Sequence, residues 1–482
     1  MPKPNTHLIR KFIVVAWALF IFLSSCKEGT PIANKPPETS ISVKKINLSG
    51  QNRLNSNVQL TWNGTDPDGY VIGYEFNINN GMWYFTEKQD TVFKFSLPPN
   101  QDTTDIQFNV RAIDNNSIPD PTPATLILPL KNSPPEIEFI KKSLTEDSAL
   151  LVYTFQFETM DQDGNESIKN AYIKANNGQW TSIDLNQNML SLVAQNPNNI
   201  GRTKANIYYG TNKQNENIQL DGFINGGNNI FYLKCVDQAG VESKIDTSET
   251  VFIRPKTADL LVVGVQPKVV LQSYKTILDA SGQNYDLVDY FKEGGQNFPK
   301  FWDPSFRLMA SYYTKLFFFS DQSTVSNPFN NQTGLALNFA AQALQRYNDN
   351  GGKLFITTSF PSIVDFQNLG GPFPIDSVSS QGGQALMSND SFLISGVSLP
   401  SLQTTNVQLG LDPFYPSIDA EVIYSAQLTP LDNWSGPKTI AVRRKRDNQT
   451  IQVFFAVELY KYNKDPEALN SLFSTILKDW FR

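Results

Sequence analysis

Apolar and polar positions change rhythm once along this chain. Over residues 37–255 apolar residues come in short alternating runs broken by Gly, Asn, Asp and Pro, which predicts antiparallel strands with one buried face. Beyond Arg254-Pro255, strand-length apolar runs alternate with stretches of helical spacing, which predicts a mainly parallel sheet covered by helices. DLLVVGV, YDLVDY, KLFFFS and KLFITT read as its strands. PKVVLQSYKTILDASG, a segment near 304–314 and LALNFAAQALQRYNDN read as helices. Strands at AEVIYS, TIAVRR and TIQVFFAV and a helix over about 466–481 close the chain.

The first region repeats. TWNGTDPDGYVIGYEF leads to Asn79-Asn80-Gly81-Met82-Trp83 and then to FNVRAID. FQFETMDQDG leads to Asn176-Asn177-Gly178-Gln179-Trp180 and then to FYLKCVD, so three landmarks recur in one order. Each Asn-Asn-Gly predicts a hairpin turn in which Gly takes positive φ. The second copy carries an Asn-rich excess over about 186–229, which reads either as a loop that binds or as a tolerated insertion. Residues 37–131 and 132–255 are therefore taken as two β-sandwich modules, and 256–482 as an α/β domain.

The N-terminus changes the picture of where the protein is. Basic residues Lys3, Arg10 and Lys11 precede the apolar run FIVVAWALFIFL, followed by Leu23-Ser24-Ser25-Cys26, the layout of a secretory signal over 1–25. A cysteine in that place resembles a bacterial lipoprotein lipobox, which implies lipidation of Cys26, with 26–36 as a tether. Lys27 after it implies an outer-membrane destination, facing the periplasm or the cell surface. The formal net charge is −6, and losing the basic signal makes it more negative, which argues against nucleic acid as a partner. The only histidine is His7, inside the signal, and Cys235 is the only cysteine besides Cys26. The mature chain thus has no imidazole and no intrachain disulfide.

The two modules resemble tandem immunoglobulin or fibronectin type III domains of Bacteroidetes-like lipoproteins. The unit ALQRYNDNGGKLFITTSF, with the late hairpin and terminal helix, resembles the class I glutamine amidotransferase-like fold and its trehalose-utilisation-like branch. That resemblance implies a cysteine nucleophile after a strand and a histidine near the late strand. This sequence has neither, so the resemblance implies a head without the family's catalysis. Glu458 stands where the family's acid would be.

The remaining candidates come from the residues themselves. Asp321 follows KLFFFS, at the sheet edge where ligands of open α/β folds collect, and reads as a ligand contact or a turn residue. Ser359 reads as a strand-end cap or, without a G-x-S-x-G elbow, as a poorly exposed nucleophile. Trp302 reads as a ligand-facing aromatic, whereas Trp83 and Trp180, at equivalent positions, read as core. Cys235 reads as an inert buried thiol. Asp66/Asp68 and Asp161/Asp163, each pair before a Gly, hold half of a calcium loop and also suit a turn, so calcium is the one metal the pattern allows. The basic run 443–446 reads as solvated charge on a hairpin.

These observations lead to an expected lipid-anchored cell-envelope protein that binds a protein, glycan or small ligand and does no chemistry. A carboxylate-dependent hydrolase acting on glycans and a purely structural envelope component are the alternatives.

Overall fold

The computed structural model describes residues 33–46, 53–210, 213–289, 301–321, 323–326, 332–360, 369–378, 384–431 and 434–482. His7, the expected signal over 1–25 and the expected lipidation site Cys26 lie outside them. The chain is built mainly of β-sheet and divides between Ser133 and Pro134 into two compact units. Among the described residues no helix is long and apolar enough to cross a membrane.

The first unit is a two-sheet sandwich. Strands β1 (Glu38–Lys45), β2 (Asn57–Thr65) and β5 (Asp90–Lys94) form one sheet. Strands β3 (Val71–Ile78), β4 (Tyr84–Thr86), β6 (Thr103–Asp114) and β7 (Ala124–Lys131) form the other, in the order β4-β3-β6-β7. The alternating inward residues Leu60, Trp62, Tyr74, Phe108 and Val110 meet between them in one apolar core.

The second unit opens with another sandwich. One sheet holds β8 (Glu136–Phe139), β9 (Val152–Met160), β12 (Met189–Ala194), β13 (Gly201–Tyr209) and β14 (Lys213–Asn225). The facing sheet holds β10 (Ile168–Ala175), β11 (Thr181–Ile183), β15 (Phe231–Asp237) and β16 (Asp246–Thr247). The Asn-rich excess is therefore not a loop: it forms β12, β13 and β14 of a five-stranded sheet. Alternation explains this, since Leu190, Leu192, Ala205, Ile207 and Leu220 all point into the core of the sandwich.

A nine-stranded mixed sheet follows. Strands β17 (Leu260–Gly264), β18 (Tyr285–Asp289), β19 (Lys315–Phe319), β20 (Lys353–Thr357) and β25 (Gln449–Phe455) pair in parallel in the order β18-β17-β19-β20-β25. The far half is antiparallel: β24 (Thr439–Arg446), β23 (Ala420–Ala426), β21 (Phe392–Ser395) and β22 (Leu402–Gln403) continue outward from β25. Helices α1 (Lys268–Ala280) and α3 (Pro466–Ser474) cover one face, where Tyr274, Phe317, Phe355 and Phe473 pack. Helix α2 (Ala336–Asp349) lies on the other face.

That second face is shared. Leu151, Val152 and Val193 of the sandwich belong to the same apolar cluster as Phe306, Met309, Phe318 and Leu344 of the sheet region. Tyr208 on β13 and Tyr312 join their hydroxyls at 3.0 Å across this seam. One apolar cluster thus joins the sandwich to this face of the sheet, and the inserted strands supply part of the seam.

Three local expectations change. In the Asn-Asn-Gly turns it is Asn79 and Asn80 (φ 50° and 59°) and Asn176 (φ 48°) that enter the left-handed region. Asn tolerates that region because its short amide bonds locally. Trp83 and Trp180 are not core residues but half-buried on the outer sheet faces. Arg111 lies 4.2 Å over Trp83, and Lys174 and Lys234 lie 5.0 and 5.1 Å over Trp180. Finally, Trp302 does not face a ligand: it is 5 % exposed and packs on Phe306 and Phe339 within the shared core.

Candidate functional site

The parallel strands end together at one edge of the mixed sheet. Their register pairs Gly264 with Phe319, Phe319 with Thr357 and Thr357 with Phe455. Two residues beyond the first three of these ends stand Gln266, Asp321 and Ser359, and Glu458 stands three beyond the fourth. Three residues predicted separately, Asp321, Ser359 and Glu458, are thereby brought to one edge, while Trp302 is packed in the core.

Glu458 is the hub. Ser359 donates its hydroxyl to Glu458 Oε1 at 3.4 Å, and Tyr460 donates to Oε2 at 3.3 Å. Lys461 forms an ion pair with the same carboxylate. Thr357, at the end of β20, ties the neighbouring backbone down by donating to the Val457 carbonyl and accepting from the Leu459 amide. The turn that carries Glu458 is thus fixed to the adjacent strand.

Asp321 sits differently. It is 7 % exposed, its backbone holds φ 39°, and the Thr358 hydroxyl donates to its carbonyl. Its Oδ1 has no hydrogen-bond partner among the described residues. Burial, with the Glu458 charge adding and Lys461 opposing, pushes its carboxyl well above the usual carboxylate range. Tyr274, fully buried on α1 and packed against Phe319, has its phenol raised by burial and by Asp321. A strained backbone around a buried acid with an unused oxygen is the kind of local cost found at functional sites.

Gln266, Tyr274, Tyr460 and Lys461 were not singled out from sequence. Gln266 had a usable signal, since it lies in the first strand-to-helix loop, directly before Pro267. Tyr274 and Tyr460 had none, because each reads as an ordinary apolar position.

Ser359 faces a carboxylate already shared with Tyr460 and Lys461.

The Asp pairs serve turns. Asp66 Oδ1 accepts from the Asp68 amide at 3.4 Å, and Asp68 accepts from the Lys35 amide at 3.1 Å. Asp161 Oδ1 accepts from the Asp163 amide at 2.8 Å, and its Oδ2 accepts from Ser167 at 2.6 Å. Among the described residues no group of three or more acidic, His or Cys side chains is set to hold a metal ion. The basic run is paired inside the fold rather than only solvated: Arg443 and Lys445 to Glu421, Arg444 to Asp419 and Arg446 to Asp349. Two clefts lie elsewhere. One follows β8 and β9 along Glu136, Glu138 and Met160, and the other lies at the amino edge of the sheet, beside Asp259 and Lys315.

No protein-family model and no curated protein matches the sequence. Parts of the chain are similar to solved structures. A two-domain fibronectin type III segment of chicken tenascin is 12 % identical, with 45 % of this chain and 99 % of that one covered and a TM-score of 0.20. The fibronectin(III)-like modules of Clostridium thermocellum CbhA are 10 % identical, covering 45 % and 94 %, with a TM-score of 0.17. The PKD1 domain of Vibrio anguillarum Epp is 12 % identical, covering 20 % and 96 %, with a TM-score of 0.16. The sandwich architecture stands on the strand pairings above, not on these likenesses.

Proposed function

We propose that this is a lipid-anchored envelope protein whose C-terminal head, an amidotransferase-like α/β domain without catalysis, binds its ligand at the carboxyl edge of the parallel strands. The observation that carries the reading is the row Asp321, Ser359 and Glu458 at that edge, supplied with hydrogen-bonding groups and lacking thiol and imidazole. Cys26 is the anchoring residue in this reading, and the fibronectin-like modules hold the head away from an outer membrane. The partner class is a protein, a glycan or a small ligand of the envelope or its surroundings.

The electrostatic coupling of Asp321 to Glu458 favours one second reading, a carboxylate-dependent glycan hydrolase. The purified chain, incubated with envelope glycans and assayed for retention and for released products, separates the two. Retention lost in Glu458→Gln with no product formed supports binding. Product formation abolished by Glu458→Gln or Asp321→Asn overturns it in favour of hydrolysis. Protease treatment of intact cells, with lysed cells as control, tells whether the head faces outward.

A further inference from the structure

The order β18-β17-β19-β20-β25 contains a reversal. The connection from β17 through α1 goes to β18 on one side, whereas β19 and β20 extend the sheet on the other. The crevice between β17 and β19 is therefore the topological switch point, the place where diverging loops leave room for a ligand. Gln266 and Asp321 stand at that crevice, each two residues beyond strand ends that pair with one another. The Val265 amide still bonds to the Phe319 carbonyl at 2.9 Å, so the two chains remain adjacent up to the residues just before them.

Both side chains are nine-tenths buried, at 5 % and 7 % exposure. Gln266 Nε2, a donor, and Asp321 Oδ1, an acceptor, have no hydrogen-bond partner among the described residues. Leaving one such group buried and unmet costs about 1–3 kcal/mol. Two of opposite hydrogen-bonding sense at adjacent register positions are accounted for if a bound molecule meets them. We infer that Gln266 and Asp321 form a donor–acceptor pair at the switch point that takes a neutral polyhydroxylated ligand, a sugar. This rests on the carboxyl-edge reading above and adds a ligand class to it.

The class follows from the groups present. A hydroxyl donates and accepts, so two neighbouring hydroxyls satisfy an amide N–H and a carboxyl oxygen together. An anion would meet Asp321 and Glu458, with Lys461 already committed to the latter. A cation would meet the Gln266 amide donor and leave its N–H groups unpaired.

Saturation-transfer NMR on the purified full chain tests this. The probes are the methyl glycosides of glucose, galactose, mannose and N-acetylglucosamine, with glucuronate and glucosamine as charged counterparts. The expected result is transfer to at least one neutral glycoside and to neither charged sugar. That transfer falls at least fivefold in Gln266→Leu and in the isosteric Gln266→Glu, which exchanges a donor for an acceptor while keeping the volume. Circular dichroism melts identify a variant that has not folded. No transfer to any neutral glycoside, or transfer undiminished in folded Gln266→Glu, overturns the inference. Transfer from glucuronate or glucosamine that is lost in Glu458→Gln overturns the neutral class but leaves the edge reading standing. Retention of envelope material unchanged by Glu458→Gln would remove the edge reading itself.

Discussion

Tyr208 and Tyr312 share a hydrogen bond of 3.0 Å between a strand of the second sandwich and the segment leading into β19. Around it, Leu151, Val193 and Phe306 are fully buried in one core. A single cooperative transition is expected for residues 134–482. Leu151→Ala should cost about 2–5 kcal/mol, in the range for a buried Leu, and lower the midpoints of sandwich and sheet together. Tyr208→Phe should cost about 0.5–1.5 kcal/mol. Denaturant unfolding followed by fluorescence and by hydrogen exchange checks both, and separate midpoints for the two parts would contradict the shared core.

The stacked outer-face tryptophans make a quantitative prediction. Trp83 under Arg111, itself bonded to Glu75 at 2.7 and 2.8 Å, is a surface cation–π pair. Trp83→Ala should cost about 1 kcal/mol, against about 3–5 kcal/mol for a tryptophan in a core. Trp62→Ala, in the core of the same sandwich, provides the contrast. Urea denaturation of the two variants distinguishes them.

Asp321 should make stability depend on pH. Its carboxyl is raised in the folded state, so the folded chain binds more protons than the unfolded one above the ordinary carboxylate range. Stability then falls as pH rises from about 4 toward the folded pKa. Asp321→Asn removes that loss, so its melting temperature should exceed that of the native chain at pH 7 and approach it near pH 4. The groups acting on Asp321 are Glu458, Lys461, Tyr274 and Tyr460, all unchanged in the variant. Thermal melts across pH 4–8 check the sign, and a variant less stable at pH 7 would show that the carboxylate serves the fold.

Cys235 is fully buried and burial pushes its thiol up to about 11. A thiol reagent should leave it unmodified in the folded chain at pH 8 and modify it fully in denaturant. Rapid modification without denaturant would contradict its place in the core.

Much of this architecture was legible in sequence where a regular period carried it. Two-residue alternation marked both sandwiches as antiparallel sheet, and DLLVVGV, KLFFFS and KLFITT are the adjacent buried strands β17, β19 and β20. Reading failed where a side chain's surroundings come from distant segments. Trp83 and Trp180 share a turn motif with the chain around them, but the cations over them come from β6, β10 and β15. Trp302 lies between Lys300 and Asp303 in the aromatic stretch FPKFWDPSF, and Phe339 of α2, distant in sequence, closes over it. The insertion hid its strands because Asn-rich turns and polar residues interrupt its apolar positions. Within the candidate site, Asp321, Ser359 and Glu458 were visible as strand-end polar residues. Gln266 had a loop position as its signal, but its pairing with Asp321 emerged with the strand order, because a switch point is a property of topology.

The carboxyl edge is tested most directly by placing a photo-crosslinking amino acid at Ser359, with an equivalent at exposed Thr276 on α1, and irradiating intact cells. The account predicts an adduct from position 359 that is lost when Asp321→Asn is added, and none from position 276. Equal adducts from both positions, or an adduct from 359 indifferent to Asp321, would contradict it.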